Sequence, residues 1–362
     1  MDCVFQKSGI AWFRTNLMGR ASRPLQGICV TGMGGPDTYQ GDYAMTAIIV
    51  GIHGLANKPE KDKLKEYWGK SIREGLLKNC KLEKADYQFE MVHWADLLYS
   101  RPLHEDPDFD FDSLYNTQPY REAADGALKE YKDSWRDDAR AIASAVGGKV
   151  ADMLDEHFGM DGLGKFLIRN KLRDLDFYYD EDRQIANRSG KKQQARRVLK
   201  DELKNTLLNI DRGDGPLIVI GHSMGSIIAY DVLREIGRKN PEFTVDHFVT
   251  IGSPLGLPLV KLNVDRHNRG RADEDRVRTP TVVRGSWINY ADRKDPVSFD
   301  NHLRDDYGKN RHGIRVEDDI VLNDYVDDKG KRNPHKSYGY LRTPELSKFL
   351  NQFVGVSSRV PA

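Results

Sequence analysis

Cysteine is scarce in this chain of 362 residues: Cys3, Cys29 and Cys80 are its complement. The number is odd and the spacing suits no metal ligand set. That excludes a disulfide framework and a thiolate centre, and fits a reducing compartment, here expected to be the cytoplasm. Charge of one sign is also lacking. Lys and Arg total 56 against 55 Asp and Glu, a formal net charge of +1. No global field draws nucleic acid, and no acidic excess forms a tail. Long hydrophobic runs are missing too: none approaches the roughly 20 residues that cross a bilayer. At the N-terminus Lys7, Arg14, Arg20 and Arg23 interrupt any signal-type apolar segment. These absences lead to the expectation of a small-molecule partner, with no nucleic acid and no integral membrane association. No internal repeat is visible, and nothing in the sequence speaks to oligomeric state.

Periodicity is absent from residues 1–44, whose second half is crowded by Gly27, Gly32, Gly34, Gly35 and Pro36. They are expected to form an N-terminal extension outside the core, with a hairpin over a sheet edge as the alternative. Gly32-Met33-Gly34-Gly35 lacks the strand and helix context of a phosphate loop. From Met45 onward, strands and helices alternate, which predicts an α/β domain over 45–362 with a mostly parallel sheet. Strands are expected at Thr46–Ile52, Tyr87–His93, Leu217–Ile220, His247–Ile251, Ser286–Tyr290 and Asp318–Leu322. Helices are expected at Lys61–Asn79, Val198–Ile210, Gly225–Arg238 and Pro344–Phe353, the last capped by Thr343 with Pro344 at its first position. The alternation stops over about 95–194, where Ala123–Phe158 and Leu163–Asp182 read as helices. A helical insertion there predicts a cap over a site. Leu257–Pro280, rich in Arg, Asp and Asn, reads as a surface loop.

The densest signal is Gly221-His222-Ser223-Met224-Gly225, directly after the apolar run Pro216-Leu217-Ile218-Val219-Ile220. An unbroken apolar run suits a central strand buried on both faces. Ile227, Ile228, Val232, Leu233 and Ile236 then fall on one helical face. A serine on a sharp strand-to-helix turn, flanked by glycines, is a nucleophile elbow. Its hydroxyl is a poor nucleophile unless a base lies within reach and a further group orients that base.

Two aspartates follow the strand Ser286–Tyr290: Asp292 and Asp295. Asp295 is the preferred acid, because Pro296 drives residue 295 toward extended geometry and out into the loop. Asp292, nearer the strand end, reads as a turn residue and stays the alternative. His335, in Asn333-Pro334-His335-Lys336-Ser337-Tyr338, stands in the loop ahead of the final helix and is the preferred base. His302 and His312 are rivals that precede the last strand. For an oxyanion hole, the backbone N–H groups of Met224 and of Leu55, in Ile52-His53-Gly54-Leu55, are the candidates.

These segments, with Gly252-Ser253-Pro254-Leu255-Gly256, make Met45–Phe353 resemble the serine α/β-hydrolase superfamily on its esterase and lipase side. The resemblance implies an α/β-hydrolase fold and a Ser223–His335–Asp295 triad acting through an acyl-enzyme. It implies no cofactor and no metal. The expected activity is hydrolysis of short to medium carboxylic esters by a serine carboxylesterase. Acyl transfer or lipase action on the same triad, or a silent fold used as a binding module, are its alternatives. Asp106–Asp112 carries alternating carboxylates but lacks the turn glycine and closing glutamate of a calcium loop. Lys191–Arg197 reads as a solvated linker and helix start.

Overall fold

The computed structural model describes residues 46–103, 119–123, 177–268, 277–298, 301–328 and 330–354. The N-terminal extension, most of the expected helical insertion and the Asp106–Asp112 segment lie outside the described residues.

Ile48–Ile52 forms β1, fully buried along its length, and leads into α1, Lys61–Cys80. Gln88–Val92 forms β2. Two short strands, β3 at Gln184–Ala186 and β4 at Lys192–Gln194, pair antiparallel as a hairpin, and α2 begins at once, Ala195–Asn209. Then come β5, Leu217–His222, and α3, Met224–Lys239. They are followed by β6, Val245–Ile251, and α4, Pro258–Asn268. The chain closes with β7 at Val283–Asp292, α5 at Leu303–Asp306 and β8 at Val316–Val321. Two short helices end it, α6 at Ser337–Leu341 and α7 at Pro344–Leu350.

Six strands form one sheet in the order β2-β1-β5-β6-β7-β8, every neighbouring pair parallel. Side chains alternate between its faces, as a period of two demands. Ile48, Val50, Leu217 and Val219 join a core with Leu199, Leu203 and Leu207 of α2 and with Ile227, Ile228 and Val232 of α3. Ile49, Ile218, Ile220 and Ile251 join the opposite core, with Trp68, Ile72 and Leu76 of α1 and Leu346 and Leu350 of α7. Both faces are therefore covered by helices, which is why the central strands read as unbroken apolar runs.

The order of the strands places the site. β1 is followed by its neighbour β2 on one side, and the chain then resumes at β5 on the other. The direction of winding reverses between β1 and β5, so the segments leaving their carboxyl ends diverge to opposite faces and leave a crevice. This sheet with its flanking helices is an α/β-hydrolase fold.

Three expectations are corrected. Pro258–Asn268 is helical rather than loop: Val260 and Val264, four residues apart, are both buried and fix its inner face. The end of the insertion is a β-hairpin, so Lys192–Gln194 is strand and not linker. Thr343 does sit at the N-cap of α7, but its hydroxyl donates back to the Tyr340 carbonyl at 2.9 Å instead of capping the helix.

Residues 119–123 are tied firmly to the body. Tyr120 Oη donates to Glu74 Oε2 at 3.0 Å, the Ala123 N–H to Glu74 Oε1 at 2.7 Å, and Tyr325 Oη to the Pro119 carbonyl at 2.7 Å. Arg342 closes the group with a buried ion pair to Glu74.

Candidate active site

Ser223 occupies the turn between β5 and α3 with φ 55° and ψ −128°. A non-glycine residue in that region is strained and persists only where surrounding structure over-determines it. Here the constraint comes from backbone packed around the turn. The Ser223 N–H donates to the Ile251 carbonyl at 3.1 Å, and Ser226 Oγ donates to the Ser223 carbonyl at 2.5 Å. The loop leaving β1 presses against the same turn. A Cβ added at Gly54 would stand 2.6 Å from Ser223 Cβ and 3.1 Å from its Oγ, so only glycine fits there.

That loop is itself braced. His53 Nδ1 donates to the Gly54 carbonyl at 2.6 Å, and its Nε2 accepts the Trp94 N–H at 3.1 Å. Both bonds require the neutral ring with its proton on Nδ1. Burial, then the nearby charges of Lys58 and His93, holds the His53 pKa well below the usual histidine range. The Gly54 carbonyl and the Leu55 N–H belong to one planar peptide, so fixing the first orients the second. Lys58 Nζ adds bonds to the carbonyls of Leu55, Ala56 and Asn57. Leu55 is buried beside this turn, and Met224 opens α3 immediately after the serine.

His335 arrives from the segment after β8. Its Nε2 lies 3.2 Å from Ser223 Oγ, and its Nδ1 lies 2.8 Å from Asp295 Oδ2 and 3.0 Å from Oδ1. All three side chains are buried. The backbone of His335 is held as well: its N–H donates to Asn333 Oδ1, and its carbonyl accepts from His222 Nε2 at 2.9 Å. His222, the residue before the serine, thus links the Ser223 turn to the histidine segment. Its ring also lies against that of His335, centroids 4.8 Å apart.

The two aspartates have different surroundings. Asp295 follows a turn closed by its own N–H on the Asp292 carbonyl, and its Oδ1 accepts the Val297 N–H at 2.9 Å. Asp292 ends β7 and faces elsewhere: Oδ1 accepts the Lys294 N–H, and Oδ2 accepts the Asn323 N–H and pairs with Arg332 at 2.7 Å. His302 is exposed at the N-cap of α5, and His312 is exposed against Arg284 and Arg311. Sequence reasoning overlooked His222, His53 and Tyr340, whose Oη donates to Asp295 Oδ2 at 2.7 Å. Only the place of His222 and His53 inside the two motifs could have pointed to them. No group of three or more side chains suited to a metal ion occurs among the described residues.

No family model matches the chain. A segment of 89 residues is 37% identical to a Saccharomyces cerevisiae protein named a probable mitochondrial phospholipase. The match covers 24% of this chain and 12% of that protein, so the chain spans only a small part of its relative's length. Among solved structures, a Lactobacillus plantarum WCFS1 chain described as a cell surface hydrolase matches with a TM-score of 0.30 at 10% identity, covering 86% of this chain and 91% of that one. Acetyl xylan esterase 1 from Thermoanaerobacterium sp. JW/SL YS485 matches with a TM-score of 0.26 at 11% identity, covering 86% and 74%.

Proposed function

We propose that this chain hydrolyses carboxylic esters through an acyl-enzyme, with Ser223 as nucleophile, His335 as general base and acid, and Asp295 orienting the imidazole. The observation that carries the reading is the continuous line of contacts from Ser223 Oγ to His335 Nε2 at 3.2 Å and from His335 Nδ1 to Asp295 at 2.8 Å. Ser223 Oγ attacks the ester carbonyl while its proton passes to His335 Nε2. The tetrahedral oxyanion is met by the N–H groups of Leu55 and Met224. His335 returns the proton to the departing alcohol, and a water activated by the same nitrogen releases the acid. This chemistry calls on no metal and no cofactor.

Short to medium acyl groups suit a chain with 31% charged residues. The name of the yeast relative favours a second substrate, the acyl ester of a phospholipid. Turnover of p-nitrophenyl butyrate against phosphatidylcholine vesicles separates the two. No described helix is long and apolar enough to cross a membrane. Our reading puts the enzyme in the cytoplasm, and cell fractionation tests that against the mitochondrial location in the relative's name.

A fluorophosphonate probe tests the chemistry itself. It should label the wild-type chain and leave Ser223→Ala unlabelled, with ester turnover lower by about a million-fold in the variant. Equal turnover by a folded Ser223→Ala chain would end the proposal. An unlabelled wild type would favour a silent binding module.

A further inference from the structure

Tyr340 is fully buried in α6, five residues after His335, and its hydroxyl touches both aspartates of the β7 loop. It accepts the Asp292 N–H at 2.9 Å and donates to Asp295 Oδ2 at 2.7 Å. The direction of each bond is forced. A backbone N–H can only donate and a carboxylate can only accept, so the single phenolic proton points at Asp295. Burial and the charges of Asp295 and Asp292 raise the phenol well above its ordinary range.

The consequence for Asp295 is geometric. Oδ2 receives His335 Nδ1 from one side and Tyr340 Oη from another, while Oδ1 receives the Val297 N–H. A carboxylate tied at both oxygens cannot rotate about its Cβ–Cγ bond. One short segment supplies two of the three ties, because the turn into α6 carries His335 and Tyr340 to the same oxygen. The charged and titratable groups around the phenol are Asp292 with its Arg332 partner, Asp295, and His335 with His222 behind it.

We infer that Tyr340 is a positioning residue for Asp295: its hydroxyl sets the carboxylate plane toward His335 Nδ1 and draws charge from the oxygen that faces the imidazole. The inference rests on the hydrolytic reading of Ser223, His335 and Asp295. It predicts two separable effects of Tyr340→Phe. With one of its three ties removed, Asp295 is held less firmly and orients His335 less well, and kcat for p-nitrophenyl butyrate falls about tenfold with KM within about twofold, the scale of one hydrogen bond to a charged group. Relieved of a competing donor, Asp295 attracts the imidazolium more strongly, and the acid limb of kcat/KM moves up by about half a pH unit.

Incorporating 3-fluorotyrosine at position 340 keeps the side chain's shape nearly unchanged and makes the phenol a stronger donor. It should move the same limb down, and it covers the case in which Tyr340→Phe fails to fold. Tyr230→Phe is the control for losing a buried phenol bond elsewhere, since Tyr230 Oη donates to the Arg278 carbonyl at 2.7 Å. It should lower Tm without moving the limb.

An unmoved limb in both position-340 variants would overturn the inference and leave Tyr340 a packing residue. If the wild type neither turns over esters nor takes the fluorophosphonate, the hydrolytic reading falls, and the His335 Nδ1 proton resonance decides the contact by itself. A displaced resonance in Tyr340→Phe supports the positioning role, and an unchanged one overturns it.

Discussion

Ser223 is held by backbone packed around its turn, whereas Asp295 and His335 are held by each other and by a hydrogen-bond network that draws in side chains of other segments. The serine's geometry follows from a strand, a strained residue and a helix in immediate succession, bonded to the adjoining strand end through Ile251. Asp295 and His335 sit forty residues apart, and their alignment passes through Val297, Asn333, His222 and Tyr340. A site assembled this way has one half that backbone sterics dictate and one half that a hydrogen-bond network dictates. The two should fail differently when disturbed.

Among changes to what holds the three residues in place, the largest effect is expected in the network half. Asp295→Asn should lower kcat by about ten-thousand-fold, because the amide favours the wrong imidazole tautomer. Asp292→Asn, three residues away, breaks the pair with Arg332 and should instead cost roughly 3 kcal/mol of stability with kcat little changed. Measuring kcat and the urea midpoint for both variants checks the contrast, and a reversed pattern would make Asp292 the acid.

The steric half is probed by Gly54→Ala. The new methyl would meet Ser223 Cβ at 2.6 Å, and His222 Nδ1 lies 3.1 Å away. Pushing Ser223 Oγ aside by a fraction of an ångström should reduce kcat by about a hundredfold. If fluorophosphonate labelling keeps the wild-type rate in this variant, the β1 loop does not constrain the serine as the distances require.

The smallest effect concerns Lys336, beside the base. Its ammonium lies over the rings of Tyr325 and Tyr338 at 5.6 and 5.2 Å, and burial pushes its pKa down to about 7. Below that value the lysine is charged in both folded and unfolded chains, and the fold carries the full penalty of enclosing it. Between there and the ordinary lysine value of about 10.4, the unfolded chain keeps a proton that the folded chain has lost, so stability rises with pH across that window. Lys336→Met should therefore raise Tm by about 3 °C near pH 6, with the gain fading toward pH 10. A lower Tm at pH 6 would mean that the two rings compensate the charge more than burial penalises it.

The same division explains what the sequence made legible. All six strands of the sheet were expected within a few residues of their observed limits, and apolar runs such as Ile48–Ile52 and Leu217–Ile220 mark the buried central ones directly. Ser223 was legible for the same reason, its signal being contained in a dozen consecutive residues. Tyr340 was not, since a buried tyrosine in a short helix looks the same whether its hydroxyl meets an acid or a carbonyl. The hairpin at Gln184–Ala186 and Lys192–Gln194 is too short and polar to show alternation. Helix α4 was missed although Val260 and Val264 carry its period, because Arg, Asp and Asn around them masked a face only two residues deep.

The outer margin of the sheet has its own consequence. Among the described residues β8 pairs only with β7 and so forms one margin of the sheet. That strand carries Glu317, Asp318 and Asp319 in succession, the first and last exposed. A second molecule approaching edge to edge would have to set its own carboxylates beside these, and like charges directly opposite are destabilising in a ladder. The acidic run along β8 thus disfavours its pairing with the same strand of a second copy.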